Sequence, residues 1–443
     1  MATVTDEAAG ASGLSARIHP PLSIWEFLAA ATCVLVNLLD GFDILIMSVA
    51  APSIGTSLGL STQQIGLVFS SGLAGMMIGA LLLSQLSDRL GRRTVIVACL
   101  IINVAGVFAT GLSHTLGELM IFRFITGLGV GGMMPVVNTA IAEVVHASRR
   151  SLAVIVQCAA YPAGGLFAAV AWPMLIDDFS WRQIIQASCL PSIVCLTLVL
   201  LFLPETNPFL LSRRPPDALA RVNRTLRRYK QPLLDSLPPP EVAGNVAVSM
   251  RAAFSGPLKR NLLALSLVTF LAQFSFYFFV SWLPAVMVSS LPGFKASGAV
   301  LLNLGGIAGG LILAGLALLA PLRRLTSGTM YLGFISIAAL AFCLNAGALT
   351  LSLAALVGAA LFALMAGIYG IAPNVFPTSQ RAGGLGVAFS VGRFGGVLSP
   401  YLGAMLMGVP NVSLQASLIL MAAPLAAAGL ALGFIRSDAP ARL

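Results

Sequence analysis

Apolar residues along this chain come in blocks long enough to cross a bilayer, about 20 residues each, separated by short polar breaks. Twelve such blocks are predicted as membrane-spanning helices: Phe27–Ala50, Gln63–Leu86, Val95–Leu112, Leu116–Val144, Leu152–Ile176, Gln183–Leu203, Asn261–Val288, Ser297–Ala320, Gly328–Asn345, Leu351–Val375, Gly384–Met407 and Val412–Ile435. One long polar segment, Pro204–Arg260, interrupts the series after the sixth span. It is rich in Pro and Arg and is expected to contain a short amphipathic helix over Asp217–Tyr229. The fold class that follows is an all-α membrane protein with twelve transmembrane helices in two pseudo-symmetric six-helix bundles. The expected organisation is a tail at 1–26, a first bundle at 27–203, a linker at 204–260, a second bundle at 261–436 and a tail at 437–443.

An internal repeat supports two related halves. Gly164-Gly165 follows fourteen residues after Arg150, and Gly395-Gly396 follows fourteen residues after Arg381, six spans further on. A duplicated six-helix unit predicts that register.

Composition agrees with lipid as the main solvent: only 9% of residues are charged, 58% are hydrophobic, and the net charge is +10. Soluble domains carry about 25% charged residues. The excess positive charge sits in short segments between spans, without a basic stripe or interleaved aromatics, so no nucleic-acid partner is predicted. With the N-terminus inside, about 21 of the 25 Lys and Arg fall on the cytoplasmic side, as in a bacterial inner-membrane protein with both termini cytoplasmic. Arg182 and Lys295 fall outside, and Arg123 and Arg393 lie within spans. The polar N-terminal segment lacks the short apolar region and cleavage site of a signal peptide. All six cysteines lie in apolar blocks and the three histidines are far apart, so neither a disulfide framework nor a metal site is predicted. No nucleophile–base pairing appears either, and no cofactor is expected.

Chemistry is expected where polar groups sit at membrane depth, because a charge at the centre of a span costs at least ~2.5–3.5 kcal/mol. Asp40 and Asp43 are three apart on the first span, and Asn37 extends their face by a turn. Two close carboxyls in a partly dry cavity do not both ionise easily, which is the property a proton carrier needs. The bland alternative bonds both to a neighbouring helix end. Arg123 precedes Gly127, Gly129, Gly131 and Gly132, whose spacing lets a second helix approach and aims the arginine into the bundle. It is placed to pair with Asp40 or Asp43, or to hold a substrate carboxylate; a structural ion pair is the rival. The same glycines mimic a dinucleotide fingerprint, but no strand precedes them. Arg393 is the intramembrane cation of the second half, suited to a carboxylate by its planar fork; helix-to-helix bonding is its rival. Gln157, Tyr161, Gln273, Tyr277, Asn303, Tyr369 and Asn374 lie at similar depth and are candidates for the same pocket. The loop Ser87-Asp88-Arg89-Leu90-Gly91-Arg92-Arg93 carries an Asp that anchoring alone does not explain. An ion-pair latch of Asp88, Arg89 and Arg92, joined by Glu143 and Arg149, is expected there.

These strings carry a resemblance. The Asp88–Arg93 loop resembles the signature loop of the major facilitator superfamily, Arg123 with its glycines resembles the superfamily's fourth-span motif, and Pro204-Glu205-Thr206 resembles the segment closing the first half in sugar and organic-ion porters. Leu39-Asp40-Gly41-Phe42-Asp43 with Ala51-Pro52-Ser53-Ile54, and Phe376-Pro377-Thr378-Ser379-Gln380-Arg381 leading to Gly392-Arg393, are similar to the aromatic acid:proton symporter family. That resemblance implies proton-driven uptake of benzoate-like anions, with Asp40 and Asp43 as the transport aspartates. Two departures stand out: Pro321-Leu322-Arg323-Arg324 lacks the acidic residue of the signature loop, and Asn374-Val375 replaces the Glu of many relatives. A monomeric symporter of a small organic anion and protons is the resulting expectation. Its alternatives are a transporter of another organic anion, a sugar or polyol porter, a proton-driven drug exporter, or a non-transporting sensor on the same scaffold.

Overall fold

At membrane depth the backbone has no water to bond, and a helix satisfies its donors and acceptors within one segment. The computed structural model describes residues 23–146, 149–238, 258–290, 297–376 and 381–435. Most of the predicted tails, Lys295, Ser148, Pro239-Pro240 with Arg251, and Pro377–Gln380 lie outside the described residues, as do the side chains of Arg150 and Arg381.

All regular structure among the described residues is helical. The first half comprises α1 (Ile24–Leu58), α2 (Thr62–Leu90), α3 (Arg92–Thr110), α4 (Leu116–Val144), α5 (Arg150–Leu175), α6 (Trp181–Ala187) and α7 (Cys189–Phe202). Two short helices follow, α8 (Asn207–Arg213) and α9 (Ala218–Arg228). The second half comprises α10 (Leu258–Ser290), α11 (Ser297–Leu316), α12 (Leu322–Phe342), α13 (Ala348–Ile371), α14 (Arg381–Met407) and α15 (Leu414–Leu432).

Several predicted boundaries move by a few residues, two of them for identifiable local reasons. The first span runs on to Leu58 because helical hydrogen bonding outlasts the apolar run, which turns polar at Pro52 and Ser53. The sixth span is broken at Ser188 into α6 and α7. Pro191 lacks the N–H that would bond to Ala187, and its ring crowds that carbonyl, so the helix restarts one turn earlier. Starts are fixed by side chains: Ser61, Thr115 and Ser180 form capping boxes with Gln64, Glu118 and Gln183.

The two bundles repeat one packing scheme. α1 packs on α5 as α10 packs on α14, and α2 packs on α4 as α11 packs on α13. The glycine pairs of the repeat serve this scheme, with Gly164 against the Leu38 carbonyl of α1 and Gly395 against the Phe270 carbonyl of α10. The halves meet through α2–α14, α5–α11 and α1–α10. Contacts there include Gly66 against Ala404 and Pro400, Gly165 against Asn303, the Ser48 hydroxyl donating to the Ser281 carbonyl, and Phe69 edge-on to Trp282 at 5.2 Å. These pairs close the centre of the molecule toward the membrane face opposite the Asp88 loop. Toward the Asp88 face, Asn138, Thr139, Tyr369 and Asn374 are exposed.

Candidate functional site

The site begins on α1, where Asp40 and Asp43 are each 1% exposed. They share a helix face but not an environment. Asp43 Oδ2 accepts from Asn103 Nδ2 of α3 at 2.5 Å, and Asn103 Oδ1 accepts from the Ser192 hydroxyl of α7 at 2.8 Å. Gly129 makes this possible by letting α3 approach α4 at the Asn103 backbone. The other Asp43 oxygen and both oxygens of Asp40 are buried without a hydrogen-bond partner. An ionised carboxylate left that way is costly, so these atoms call for a proton, a ligand or water.

Asp43 lines a cavity with Arg123, Thr126 and Gly127 of α4, Gly72 and Met76 of α2, and Ser281 of α10. Its volume is about 20 Å³, room for roughly one water molecule. Arg123 is directed there because Gly127 and Gly131 let α4 press against the α2 backbone at Gly72 and Met76. Arg123 and Asp43 share the cavity without closing into an ion pair.

Leu73, Met76 and Val130, packed with Tyr277 and Val397, form an apolar septum beside this cavity. Arg393 of α14 crosses between the halves and donates from Nη1 to the Met76 carbonyl at 3.2 Å. Arg123, from the first half, shares the cavity that Asp43 lines, and Arg393, from the second half, is held at Met76, another residue of that lining. Three tyrosines come from three helices, Tyr161 of α5, Tyr277 of α10 and Tyr369 of α13. Tyr161 Oη is buried without a partner. Rings connect them: Tyr161 to Phe362 at 6.0 Å, Phe362 to Phe276 and Phe276 to Tyr277 at 5.3 Å each, and Tyr369 to Phe389 at 5.0 Å.

Several predicted residues are used otherwise. Asn37 Nδ2 donates to the Gln157 carbonyl at 2.5 Å and Gln157 Nε2 donates to Asn138 Oδ1 at 2.6 Å, so this pair ties α1, α5 and α4 together. Asn303 donates to Ala299 of its own helix at 2.8 Å and presses on Gly165. Gln273 packs against Gly392, and Tyr277 against Gly396 one turn on, which seats α10 on α14. Of the tyrosines, Tyr369 is the exposed one, at 42%.

The latch forms around Arg92, which bridges Asp88 at 2.9 Å and Glu143 at 3.4 Å. Arg89 does not join it and lies exposed in the last turn of α2. Arg149 pairs with Glu26 at 3.9 Å, and Glu26 also accepts from the His146 backbone at 2.9 Å, so this contact anchors the start of α1. The Arg89 side chain is exposed at a helix end, and Arg149 immediately precedes α5, beside Glu26; spacing along the chain does not reveal either. Glu205 has a role that its place in the Pro204-Glu205-Thr206 string does not reveal: its Oε1 accepts from the backbone N–H groups of Arg92 at 2.8 Å and Arg93 at 3.3 Å. A carboxylate there satisfies orphan donors at the α3 N-terminus and complements its dipole. Asn103 and Ser192 were also missed. Asn103 carried a usable signal, a lone amide in an apolar run; Ser192 carried none, since serines are common in spans.

Comparison with known proteins adds three findings. Residues 33–400 match the family model described as Major Facilitator Superfamily. The 4-hydroxybenzoate transporter PcaK of Acinetobacter baylyi is 30% identical, over 94% of this chain and 92% of that protein. The gallate transporter of Pseudomonas putida is 27% identical, over 93% and 92%. The structure also superposes on the xylose transporter XylE from E. coli in a partially occluded inward-open conformation, with a TM-score of 0.73 at 17% identity, covering 95% of this chain and 100% of the other.

Proposed function

This chain belongs to the major facilitator superfamily, and from that premise we propose that it imports a benzoate-like aromatic carboxylic acid together with protons, by alternating access. The observation that carries the proposal is the presence of two buried, incompletely bonded carboxyls on α1 together with an arginine from each half, Arg123 in the cavity that Asp43 lines and Arg393 bonded to Met76 of the same lining. Its substrate class is supported by the relatives, which transport 4-hydroxybenzoate and gallate by name.

In this reading Arg123 and Arg393 attract the substrate carboxylate and Asp40 or Asp43 carries the proton. Arg393 keeps donors free beyond the one given to Met76, since a guanidinium has five. The edge-to-face and tilted rings of Tyr161, Phe362, Phe276 and Tyr277 supply an apolar aromatic surface for an aromatic acid. A ring does not fit the present narrow cavity, so substrate enters after the halves rock about the α2–α14 and α5–α11 contacts. A protonated aspartate together with a bound anion leaves less uncompensated charge in the cavity, which lowers the cost of that motion. Positive charge on the Asp88 face supports a cytoplasmic position for that face and for both termini, in a bacterial inner membrane. Both halves lie in one chain, so a monomer has the whole pathway. The protein acts as a transporter rather than an enzyme and needs no cofactor.

The test is uptake of radiolabelled protocatechuate, 4-hydroxybenzoate, benzoate and gentisate into proteoliposomes with an inside-alkaline gradient, comparing wild type with Asp43→Asn. Uptake of one acid that collapses with a protonophore and in the variant is expected. No uptake of any of them by folded, inserted protein would reject the substrate class and leave sugars, other carboxylates and exported compounds as the field.

A further inference from the structure

A second cavity lies away from the transport pathway, under the short helix α9, and does not depend on what is transported. Arg221, Arg224 and Arg228 fall at i, i+3 and i+7 of α9, a single helix face, and that face lines a cavity of about 280 Å³. Arg93 contributes a fourth guanidinium, held in place by donation from Nη2 to the Leu200 carbonyl at 2.7 Å. The opposite wall is the end of α7, including Leu200 and Leu201.

Charge in this cavity is poorly balanced. Glu205 also lines it, but one of its oxygens is engaged by the backbone of Arg92, Arg93 and Thr206. Arg221 has Asp217 at 3.8 Å, a solvent-exposed pair of little strength. Among the described residues no acidic side chain pairs with Arg224 or Arg228; the Arg228 guanidinium lies over the Trp25 ring at 4.8 Å. The mouth is apolar: Leu200 and Leu201 are 49% and 61% exposed on the outer side of a spanning helix, where lipid chains run. Converging guanidinium groups with an apolar rim at the membrane boundary fit a phosphate that carries acyl chains.

We propose that this cavity binds the phosphate of an anionic phospholipid, its headgroup among Arg221, Arg224 and Arg228 and its chains over Leu200 and Leu201. Occupancy would fasten α9 against the first half, where the Ser23 hydroxyl already donates to the Arg228 carbonyl at 2.7 Å.

The experiment is native mass spectrometry of the full-length protein in detergent, titrated separately with phosphatidylglycerol, phosphatidylcholine and inorganic phosphate. Phosphatidylglycerol is expected to bind in preference to phosphatidylcholine, and inorganic phosphate not to displace it. Each lost arginine should weaken that binding about fivefold, and the Arg221→Gln/Arg224→Gln/Arg228→Gln variant about a hundredfold. Arg227→Gln, which removes the same charge outside the cavity, should bind as wild type. Arg224→Gln alone disturbs no ion pair and keeps the test valid should the triple variant misfold. Equal phosphatidylglycerol binding in wild type and Arg224→Gln, equal binding of the two lipids, or inorganic phosphate bound in place of lipid would each overturn the proposal.

Discussion

Gly41 sits between the two aspartates of α1, and adding one methyl group there gives a sharp test of how that helix is held. A Cβ at Gly41 would lie 1.9 Å from the Tyr161 carbonyl oxygen of α5, and ordinary contact begins at 3.4 Å. The obstacle is backbone, which cannot rotate away as a side chain can, so the helices must separate by the difference. Overpacking in a well-packed interior costs about 1–3 kcal/mol. With backbone on the other side, Gly41→Ala belongs at about 3 kcal/mol, roughly a hundredfold in the folded-to-unfolded ratio. Gly310 of α11 is the counterpart, because a Cβ there meets nothing within 4 Å. Gly310→Ala should gain about 0.5–1 kcal/mol from helix propensity. Unfolding of both purified variants in one detergent, followed by tryptophan fluorescence, measures the contrast. Gly41→Ala should unfold well below wild type and Gly310→Ala at or slightly above it. If Gly41→Ala matches wild type, α1 and α5 are not in contact at this level, and the account of how Asp40 and Tyr161 are brought together fails.

Two further outcomes are expected. Asn103→Leu removes the amide that bonds Asp43, a hydrogen bond to a charged group worth about 1.5–3 kcal/mol, and should lower proton-driven uptake about tenfold or more. Ser192→Ala acts one bond further out and should lower it less; initial rates in proteoliposomes decide, and a reversed order would mean Ser192 matters for another reason. In the latch, Asp88 is 71% exposed and Glu143 is 17% exposed, so Asp88→Asn should cost under about 1 kcal/mol of stability and Glu143→Gln more. Thermal unfolding at low and high salt checks this, and only the Asp88 contribution should fade as salt rises.

The elements were legible because hydropathy is a local property. Twelve apolar blocks, the linker helix and the repeat of glycine pairs needed only the spacing of residues along one segment. The same logic made Asp40, Asp43, Arg123 and Arg393 conspicuous, since a charge in an apolar run stands out whatever surrounds it. Partnership is a different quantity. Asp43 lies sixty residues from Asn103, and Asn103 lies eighty-nine from Ser192, and no period connects them. Asn37, Gln157 and Asn303 looked like pocket residues by depth, but depth does not say which way a side chain faces, and the structure turns them into bonds between or within helices. Glu205 was hidden because its role is to accept from the start of α3, more than a hundred residues earlier in the chain. By itself the sequence determined the solvent, the helices and the costly charges, all set by transfer of each segment into lipid. Which side chains meet Asp43 and Arg393 was decided only by close packing of helices from distant parts of the chain, where contacts depend on three-dimensional direction and not on spacing.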